Sequence, residues 1–146
     1  MKNYFLTLLS ILILTAASMS AADNFNREIT NEQIEQNLLI GLQSNNVGLR
    51  VSCAYMLGEI QPSEKAILLL MKTLRDDQDE RARIMAALTL TKLEDPRGLN
   101  IVQRECQYNN NCKTRKMCQR FYSSYINKKY SVMKETRDSL YAVLLP

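Results

Sequence analysis

Apolar and polar positions follow a helical period along most of the chain, and one apolar stretch occurs twice. Residues 49–60, LRVSCAYMLGEI, align with residues 82–93, ARIMAALTLTKL, so that Arg50 pairs with Arg83 and Leu57 with Leu90. A second apolar segment precedes each copy. Self-similarity at a period of about 20 to 50 residues is typical of solenoids, in which stacked helical pairs bury a continuous core. The pattern therefore predicts an all-α protein built from pairs of helices.

The boundaries of these helices are indicated by capping residues and prolines. Thr30 and Gln33 have the spacing of a capping box, which opens the first helix. Pro62 and Pro96 each stand at a first helical position, where proline is tolerated. The predicted helices that follow the first are 47–60, 62–74, 81–93, 96–106 and 112–126, with a last short helix at 131–145. The third pair is the least regular and is interpreted as a terminal cap.

The second helix of each pair resembles that of HEAT repeats, in the short, alanine-rich form first associated with phycobilisome lyases, which reads roughly V-R-x2-A-A-x-A-L-G. The matching positions are Leu49, Arg50, Cys53, Ala54, Leu57 and Gly58 in the first copy, and Arg83, Ala86, Ala87 and Leu90 in the second. The resemblance implies an α-solenoid of about three HEAT-like helical pairs with a C-terminal capping helix. It implies little about activity, because function belongs to sites and not to folds.

The first 22 residues have the order of a secretory signal peptide. Lys2 is followed by an apolar run at residues 5–14 and by small residues before Asp23. We therefore predict a signal peptide at 1–22, a flexible lead at 23–29 and a helical repeat domain at 30–146. An uncleaved membrane anchor is the main alternative, and a very apolar first helix of the solenoid is another. The expected location is the periplasm or the exterior of the cell.

The sequence contains no histidine, which removes the commonest general base and metal ligand. The densest carboxylate cluster, residues 76–80, lacks the glycine and the later glutamate of a calcium loop, so it is interpreted as helix caps and a solvated loop. No cofactor, metal site or catalytic residue is predicted.

Four cysteines raise the question of disulfides, since exported proteins usually pair them. Cys53 takes the position of Ala86 and is interpreted as a small buried residue. A disulfide between Cys106 and Cys112 would link one helix of the third pair to the next. Pairing of Cys106 with Cys118, or reduced and buried thiols, are the alternatives. Any single disulfide among these three leaves one cysteine that is buried or joins a second chain.

Charge is divided unevenly along the chain. Residues 23–96 contain eight lysines and arginines against twelve carboxylates, whereas residues 97–146 contain ten against three. Basic and aromatic residues are interleaved in the second part, and Arg120, Lys128 and Lys129 are candidate contacts there. Export argues against a nucleic-acid partner and favours an anionic membrane surface, an acidic glycan or an acidic protein face. A solvated capping face is the alternative.

Two sets of residues are candidates for structural and binding roles. Arg50, Arg83 and Lys116 form a ladder of one cation per repeat, which the resemblance implies is bonded to acidic residues or carbonyls of neighbouring loops. In such solenoids the second helices line the concave face. The outward positions where we expect partner contacts are Ser52, Met56, Glu59, Met85, Thr89 and Lys92.

The predicted function is that of a non-enzymatic interaction or adaptor module, which binds a protein partner through the concave face or through its basic C-terminal end. An enzyme or enzyme subunit resembling the phycobilin lyases is one alternative. Self-association is the other, since three repeats are near the lower limit for an independent solenoid.

Overall fold

The computed structural model describes residues 30–144, and this range is helical with no strand. Its six helices are α1 (Asn31–Leu42), α2 (Val47–Leu57), α3 (Glu64–Asp76), α4 (Glu80–Leu93), α5 (Pro96–Tyr108) and α6 (Cys112–Leu144). The prediction of an all-α solenoid made of helical pairs is confirmed. The predicted signal peptide at 1–22 and lead at 23–29 lie outside the described residues.

By its internal contacts the chain divides into residues 1–33 and residues 34–146. In the first unit the structure describes only residues 30–33, which form the predicted capping box. The Thr30 amide donates to Gln33 Oε1 at 3.2 Å, and the Gln33 amide donates to the Thr30 hydroxyl at 3.3 Å. This reciprocal pair satisfies two amides that the helix start would otherwise leave without partners.

Short polar side chains fix the start of three helices in the second unit. Asn46, Asp79 and Asp95 each accept a hydrogen bond from a first-turn amide of the helix that follows, at 2.9 to 3.2 Å. Glu94 ends α4 in the left-handed region with a φ of 55°, which is uncommon for a residue other than glycine. This turn lets Asp95 cap α5 directly after α4 ends.

Helix α4 lies at the centre of the second unit. It packs against α2 and α6, which are the second helices of the other pairs, and also against α3 and α5. Ala54, Ala86 and Ala87 are fully buried, and such small side chains let neighbouring helices approach closely. Helices α2, α4 and α6 therefore form one layer, and α3 packs on α5 in the other.

The repeat period changes along the chain. Helices α2 and α4 begin 33 residues apart, but α4 and α6 begin 32 residues apart. The offset of 33 that relates Arg50 to Arg83, and that placed Lys116 on the same ladder, is therefore one residue too long for the third pair. At the observed offset Cys118 takes the position of Ala86 and Cys53, and Thr114 takes that of Ala82. All five side chains are buried.

Helix α6 is a single helix of 33 residues, where the sequence predicted two helices with a break between them. Residues 127–130, which were expected to separate the two helices, contain neither glycine nor proline, so nothing interrupts the backbone hydrogen bonds. Among the helices of residues 30–144, none has the length and hydropathy of a membrane span.

Ion pairs show how α6 lies beside α4. Lys113 Nζ is 2.7 Å from Glu80 Oε1 where both helices begin, and Lys128 Nζ is 3.7 Å from Glu94 Oε1 just after α4 ends. The two helices therefore run in the same direction. Residues 129–144, which we term the α6 extension, continue beyond the end of α4 for about 24 Å at 1.5 Å per residue.

Candidate interaction surfaces

The outer side of α2 carries three of the predicted contact positions. Ser52, Met56 and Glu59 are all exposed, and half of the Met56 side chain is accessible. Tyr55 is equally exposed beside Met56. It was not among the predicted contact positions, and in the alignment of the two repeats it is paired with Leu88. Its spacing of three residues from Ser52 and four from Glu59 could have placed it on the same helix face.

Helix α4 presents residues that differ from those predicted. Thr89 is only 2% exposed, and its hydroxyl donates to the Ala54 carbonyl of α2 at 2.8 Å. The prediction that Thr89 faces outward is therefore wrong, because this side chain lies in the contact between the two helices. Met85 is half-buried and packs against the core. The exposed apolar residue of this helix is its neighbour Leu88.

An ion pair joins the two helices at the surface. Lys92 Nζ lies 2.8 Å from Glu59 Oε2, and hydrogen bonds from Lys92 and from the Tyr55 hydroxyl lower the pKa of Glu59. The ion pair and the hydrogen bond from Tyr55 connect exposed residues of α2, of the turn after it and of α4 into one surface with apolar and charged parts. We term it the second-helix face, and its members are Ser52, Tyr55, Met56, Glu59, Leu88 and Lys92.

A shallow groove of about 200 Å³ continues this face toward α6. Leu88 and Lys92 form its α4 side, while Phe121 and Tyr125 form its α6 side. Leu88, which is 36% exposed, therefore belongs both to the second-helix face and to the wall of this groove. The patch and the groove together span the layer formed by the three second helices.

The predicted ladder of cations is present, with one change of residue. Arg50, Arg83 and Arg115 each donate from Nη1 to the carbonyl six residues earlier, in the loop between the helices of their pair, at 2.9, 2.7 and 2.8 Å. The third member is Arg115 and not the predicted Lys116, which is exposed. The shift of one residue follows from the offset of 32 between α4 and α6.

The ladder also connects successive repeats, but only at its first step. Arg50 donates from Nε and Nη2 to both carboxylate oxygens of Asp77, at 2.8 and 2.9 Å. Asn109 takes the place of Asp77 in the next loop, and its amide donates to Glu105 Oε2 at 2.7 Å. The buried Nε of Arg83 consequently has no hydrogen-bond partner. A cavity of about 380 Å³ lies beside this second step.

All four cysteines are free thiols in the structure. The predicted disulfide between Cys106 and Cys112 is not formed. Helix α5 continues past Cys106 and places it in the core, where its thiol donates to the Val102 carbonyl at 3.2 Å, whereas Cys112 is exposed. Cys118 is fully buried, and burial raises its pKa to about 12. This thiol is therefore a poor nucleophile.

The acidic residues of the loop between α3 and α4 are engaged in ion pairs and caps. Asp79 pairs with Arg81 at 2.9 Å, and this hydrogen bond, together with those from backbone amides, lowers the pKa of Asp79 to about 2. Glu80 pairs with Lys113, which lowers the pKa of Glu80. Within residues 30–144 no group of three or more acidic or cysteine side chains is arranged to hold a metal ion.

The basic C-terminal end lies on α6, where Arg120, Lys128 and Lys129 are exposed. Lys129 Nζ lies 5.8 Å from the centre of the Tyr125 ring, within the range of a cation–π contact. Helix α6 carries eight lysines and arginines against two carboxylates. This helix is therefore the most strongly charged element of residues 30–144.

Comparison with known proteins identifies a family of repeat proteins. The family model for HEAT repeats matches residues 35–116, which is more than half of the chain. The matched range runs from within α1 to the first turns of α6. No curated protein matches the chain.

Proposed function

Because the chain belongs to the HEAT-repeat family, we propose that it is a non-enzymatic interaction module that binds a protein partner through its second-helix face. HEAT repeats are generally protein-interaction modules and are typically non-enzymatic. The observation that supports this face most directly is the exposure of Tyr55 and Leu88, which take equivalent positions in two neighbouring helices, with Met56 exposed next to Tyr55. Grouped apolar side chains with charged neighbours mark interaction sites.

The composition of the face fits a protein partner. Tyrosine and methionine are enriched in the buried centres of protein interfaces, where they supply large contact areas. The ion pair between Glu59 and Lys92 borders the apolar residues and leaves both charges accessible, at 46% and 48% of their side-chain surface. A partner would cover the apolar centre and meet this pair at the rim.

Photo-crosslinking in the cells that make the protein tests this proposal. A photoreactive phenylalanine analogue is placed at Met56 in one chain and at Leu68 of α3 in another. The two side chains are equally exposed, at 50% and 51%, but lie in opposite layers of helices. We expect one recurrent protein to be crosslinked from Met56 and not from Leu68. Identical products from both positions would contradict the proposal.

Substitutions then measure the contribution of the face to binding. Once the partner is identified, Met56→Asp and Leu88→Asp should each weaken its binding by about 2 kcal/mol, whereas Leu68→Asp should leave it unchanged. Crosslinking of the chain only to its own copies would favour the self-associating alternative. A tightly held chromophore in the purified protein would favour the lyase-like alternative.

We further propose that the protein is exported to the cell envelope or the exterior. The support is the order of Lys2, the apolar run at residues 5–14 and the small residues that precede Asp23. Mass spectrometry of the protein recovered from fractionated cells tests this. The expected species begins at Asp23 and is found outside the cytoplasm, and an intact N-terminus in the cytoplasmic fraction would contradict export.

A second contact, with an anionic surface, is proposed for the basic C-terminal end. The excess of positive charge on α6 supports it, because such charge attracts anionic partners over about a Debye length. Arg120, Lys128 and Lys129 are the residues first assigned to this contact. The export proposal above argues against nucleic acid as the partner.

A further inference from the structure

The α6 extension carries large apolar side chains that are exposed and lie outside the hydrophobic core. Tyr130, Met133 and Leu140 are 67%, 62% and 57% exposed, and Ile126, just before the extension, is 43% exposed. Their spacings of four, three and seven residues place them along one side of the helix, and Val132, which is 54% exposed, lies about 100° from Met133. A helix that packs against nothing normally shows a polar surface on all sides. The stripe therefore indicates that something covers it.

Charged residues are sorted around this stripe by sign. At 100° per residue, Lys129 and Arg137 lie within about 40° of Met133, and Lys134 lies at about 100°. Glu135 and Asp138 lie at about 160° and 140°, on the far side of the helix. Every charge at the centre or the edge of the stripe is thus positive. Whatever covers the stripe must combine apolar and anionic character.

Self-pairing and a protein groove fit this arrangement less well than a lipid surface. Two copies of the stripe would bring Lys129, Lys134 and Arg137 of both helices together. The one carboxylate near them, Asp138, lies 3.3 Å from Arg137 of its own helix and leaves Lys129 and Lys134 without a partner carboxylate, which is unfavourable. An apolar protein groove would need a carboxylate placed opposite Arg137 in the middle of the stripe. At a membrane interface the long basic side chains extend to the phosphates while the apolar ones enter the acyl boundary.

We propose that the α6 extension binds in the plane of a membrane surface that contains anionic lipids. Ile126, Met133 and Leu140 point toward the acyl chains, and Tyr130 lies at the headgroup level that tyrosine favours. Lys129, Lys134 and Arg137 contact lipid phosphates. This refines the anionic contact proposed above and rests on it, but it does not involve the second-helix face.

Fluorescence tests the contact at the site itself. The chain contains no tryptophan, so Tyr130→Trp places a single indole on the stripe. We expect its emission to shift to the blue with vesicles of phosphatidylglycerol and phosphatidylcholine in equal parts, and not with phosphatidylcholine alone. Because the apolar run at residues 5–14 could itself bind lipid, all compared chains have the same N-terminus. The shift should weaken as salt is raised.

A matched pair of charge variants identifies the residues responsible. In the Tyr130→Trp chain, changing Lys129, Lys134 and Arg137 to Gln should weaken vesicle affinity roughly a hundredfold. Changing the exposed Lys65, Lys72 and Arg104 to Gln removes the same charge elsewhere and should weaken affinity severalfold at most. Equal losses from the two triple variants would contradict the assignment to the extension.

Three other results would overturn the proposal. The first is an unchanged emission with anionic vesicles. The second is an equal shift with neutral vesicles. The third is a shift that develops without lipid as the protein concentration rises, which would indicate a second copy as the occupant. None of these results affects crosslinking from Met56, so failure of the lipid contact and failure of the protein-binding face are distinguishable.

Discussion

Two buried threonines of the second helices differ in whether the hydroxyl has a partner. The Thr89 hydroxyl donates to the carbonyl of Ala54, near the end of α2. The Gly58 amide would be the helical partner of this carbonyl, but it donates to the Tyr55 carbonyl instead. The Thr114 hydroxyl is fully buried and has no partner. We expect Thr89→Val to lower the free energy of unfolding by about 1–3 kcal/mol, and Thr114→Val to leave it unchanged or raise it.

Denaturant unfolding followed by circular dichroism measures both effects. Thr89→Ser is the control, because it retains the hydroxyl and loses one methyl group, so it should be less destabilising than Thr89→Val. Equal losses for the two valine variants would show that the hydrogen bond to Ala54 contributes nothing specific.

The four cysteines should differ sharply in reactivity. Cys112 is exposed, whereas the other three are buried, and burial raises the pKa of Cys53, Cys106 and Cys118. A maleimide reagent should therefore add once to the native protein, at Cys112, and four times after unfolding. Mass spectrometry counts the adducts. Only two adducts after unfolding without reductant would reveal a disulfide in the purified protein, contrary to the free thiols of the structure.

For single residues, the sequence predicted which part of a helix lies near the surface better than it predicted which of two neighbouring side chains faces the solvent. Ser52, Met56, Glu59 and Lys92 are exposed as expected, but Thr89 is buried and its neighbour Leu88 is exposed instead. A periodic pattern cannot choose between two adjacent residues near the edge of a helix face, because they differ by only 100° around the axis. The packing angle of α4 against α2 decides which of the two is covered.

The close contact between α4 and α5 depends on a glycine. A Cβ added to Gly98 would lie 2.9 Å from Leu90 Cδ2 and 3.3 Å from Leu90 Cβ. Alanine is the better helix former by up to about 1 kcal/mol, but the clash should dominate, so we expect Gly98→Ala to destabilise by about 1–3 kcal/mol. A Leu90→Ala background removes the Cδ2 atom and keeps only the Cβ contact at 3.3 Å, so the same change should cost clearly less there. Thermal unfolding of the four proteins measures this coupling, and additive effects would argue against the clash.

The start of α4 should make stability depend on pH in the acid range. The pKa of Asp79 is about 2 in the folded protein, against 3.8 for a free side chain. A lowered pKa stabilises the folded state above the unfolded pKa, and this contribution is lost as pH falls through the folded pKa. Asp79→Asn keeps a good N-cap but removes the charge. The melting temperature of the wild type should therefore exceed that of the variant at pH 5, and the difference should vanish between pH about 4 and about 2.

A difference between the two melting temperatures that persists at pH 2 would show that the charge of Asp79 is not its cause. The other carboxylates of this region do not confound the comparison. Glu80 and Asp76 also have lowered pKa values, but both residues are present in the two proteins, so most of their contribution cancels in the comparison.

Helices were easier to predict from the sequence than the length of the connections between them. The capping box at Thr30 and the prolines at 62 and 96 gave helix starts within about two residues, because these residues act locally. The repeat from α4 to α6 is one residue shorter than the repeat from α2 to α4. The sequence did not indicate this difference, because the third pair retains few of the matching side chains. That shift placed Lys116 where Arg115 belongs. The continuity of α6 was missed because polar residues at 127–130 indicate exposure and do not by themselves end a helix.

Within residues 34–144, a packed array of helices is followed by a helical segment that extends beyond it. Each pair in a solenoid is stabilised mainly by its neighbours, so the contacts of α4 with α2 and α6 should govern cooperative unfolding. The bidentate bond from Arg50 to Asp77 reinforces the first of these junctions, while Asn109 and the unpartnered Nε of Arg83 leave the second without an equivalent. The third pair should therefore open before the first two, which hydrogen exchange of the α6 amides would detect.

Removal of the α6 extension should not affect the stability of the array. Residues 129–140 are all exposed, so a chain that ends at Lys128 keeps every side chain that is buried among residues 112–140. We expect its melting temperature in the absence of lipid to equal that of the intact chain. A chain that ends at Asn111 is the contrasting control, because it loses all of α6, exposes the apolar surface of α4 and α5, and should not fold stably.

The opposite outcome would be a lower melting temperature for the chain that ends at Lys128. If the melting temperature of the intact chain also rises with protein concentration, so that the gap between the two chains widens, the extension pairs with a second copy in solution. An unchanged melting temperature would mean that the extension does not stabilise the array. A segment whose apolar residues serve binding should behave in this way.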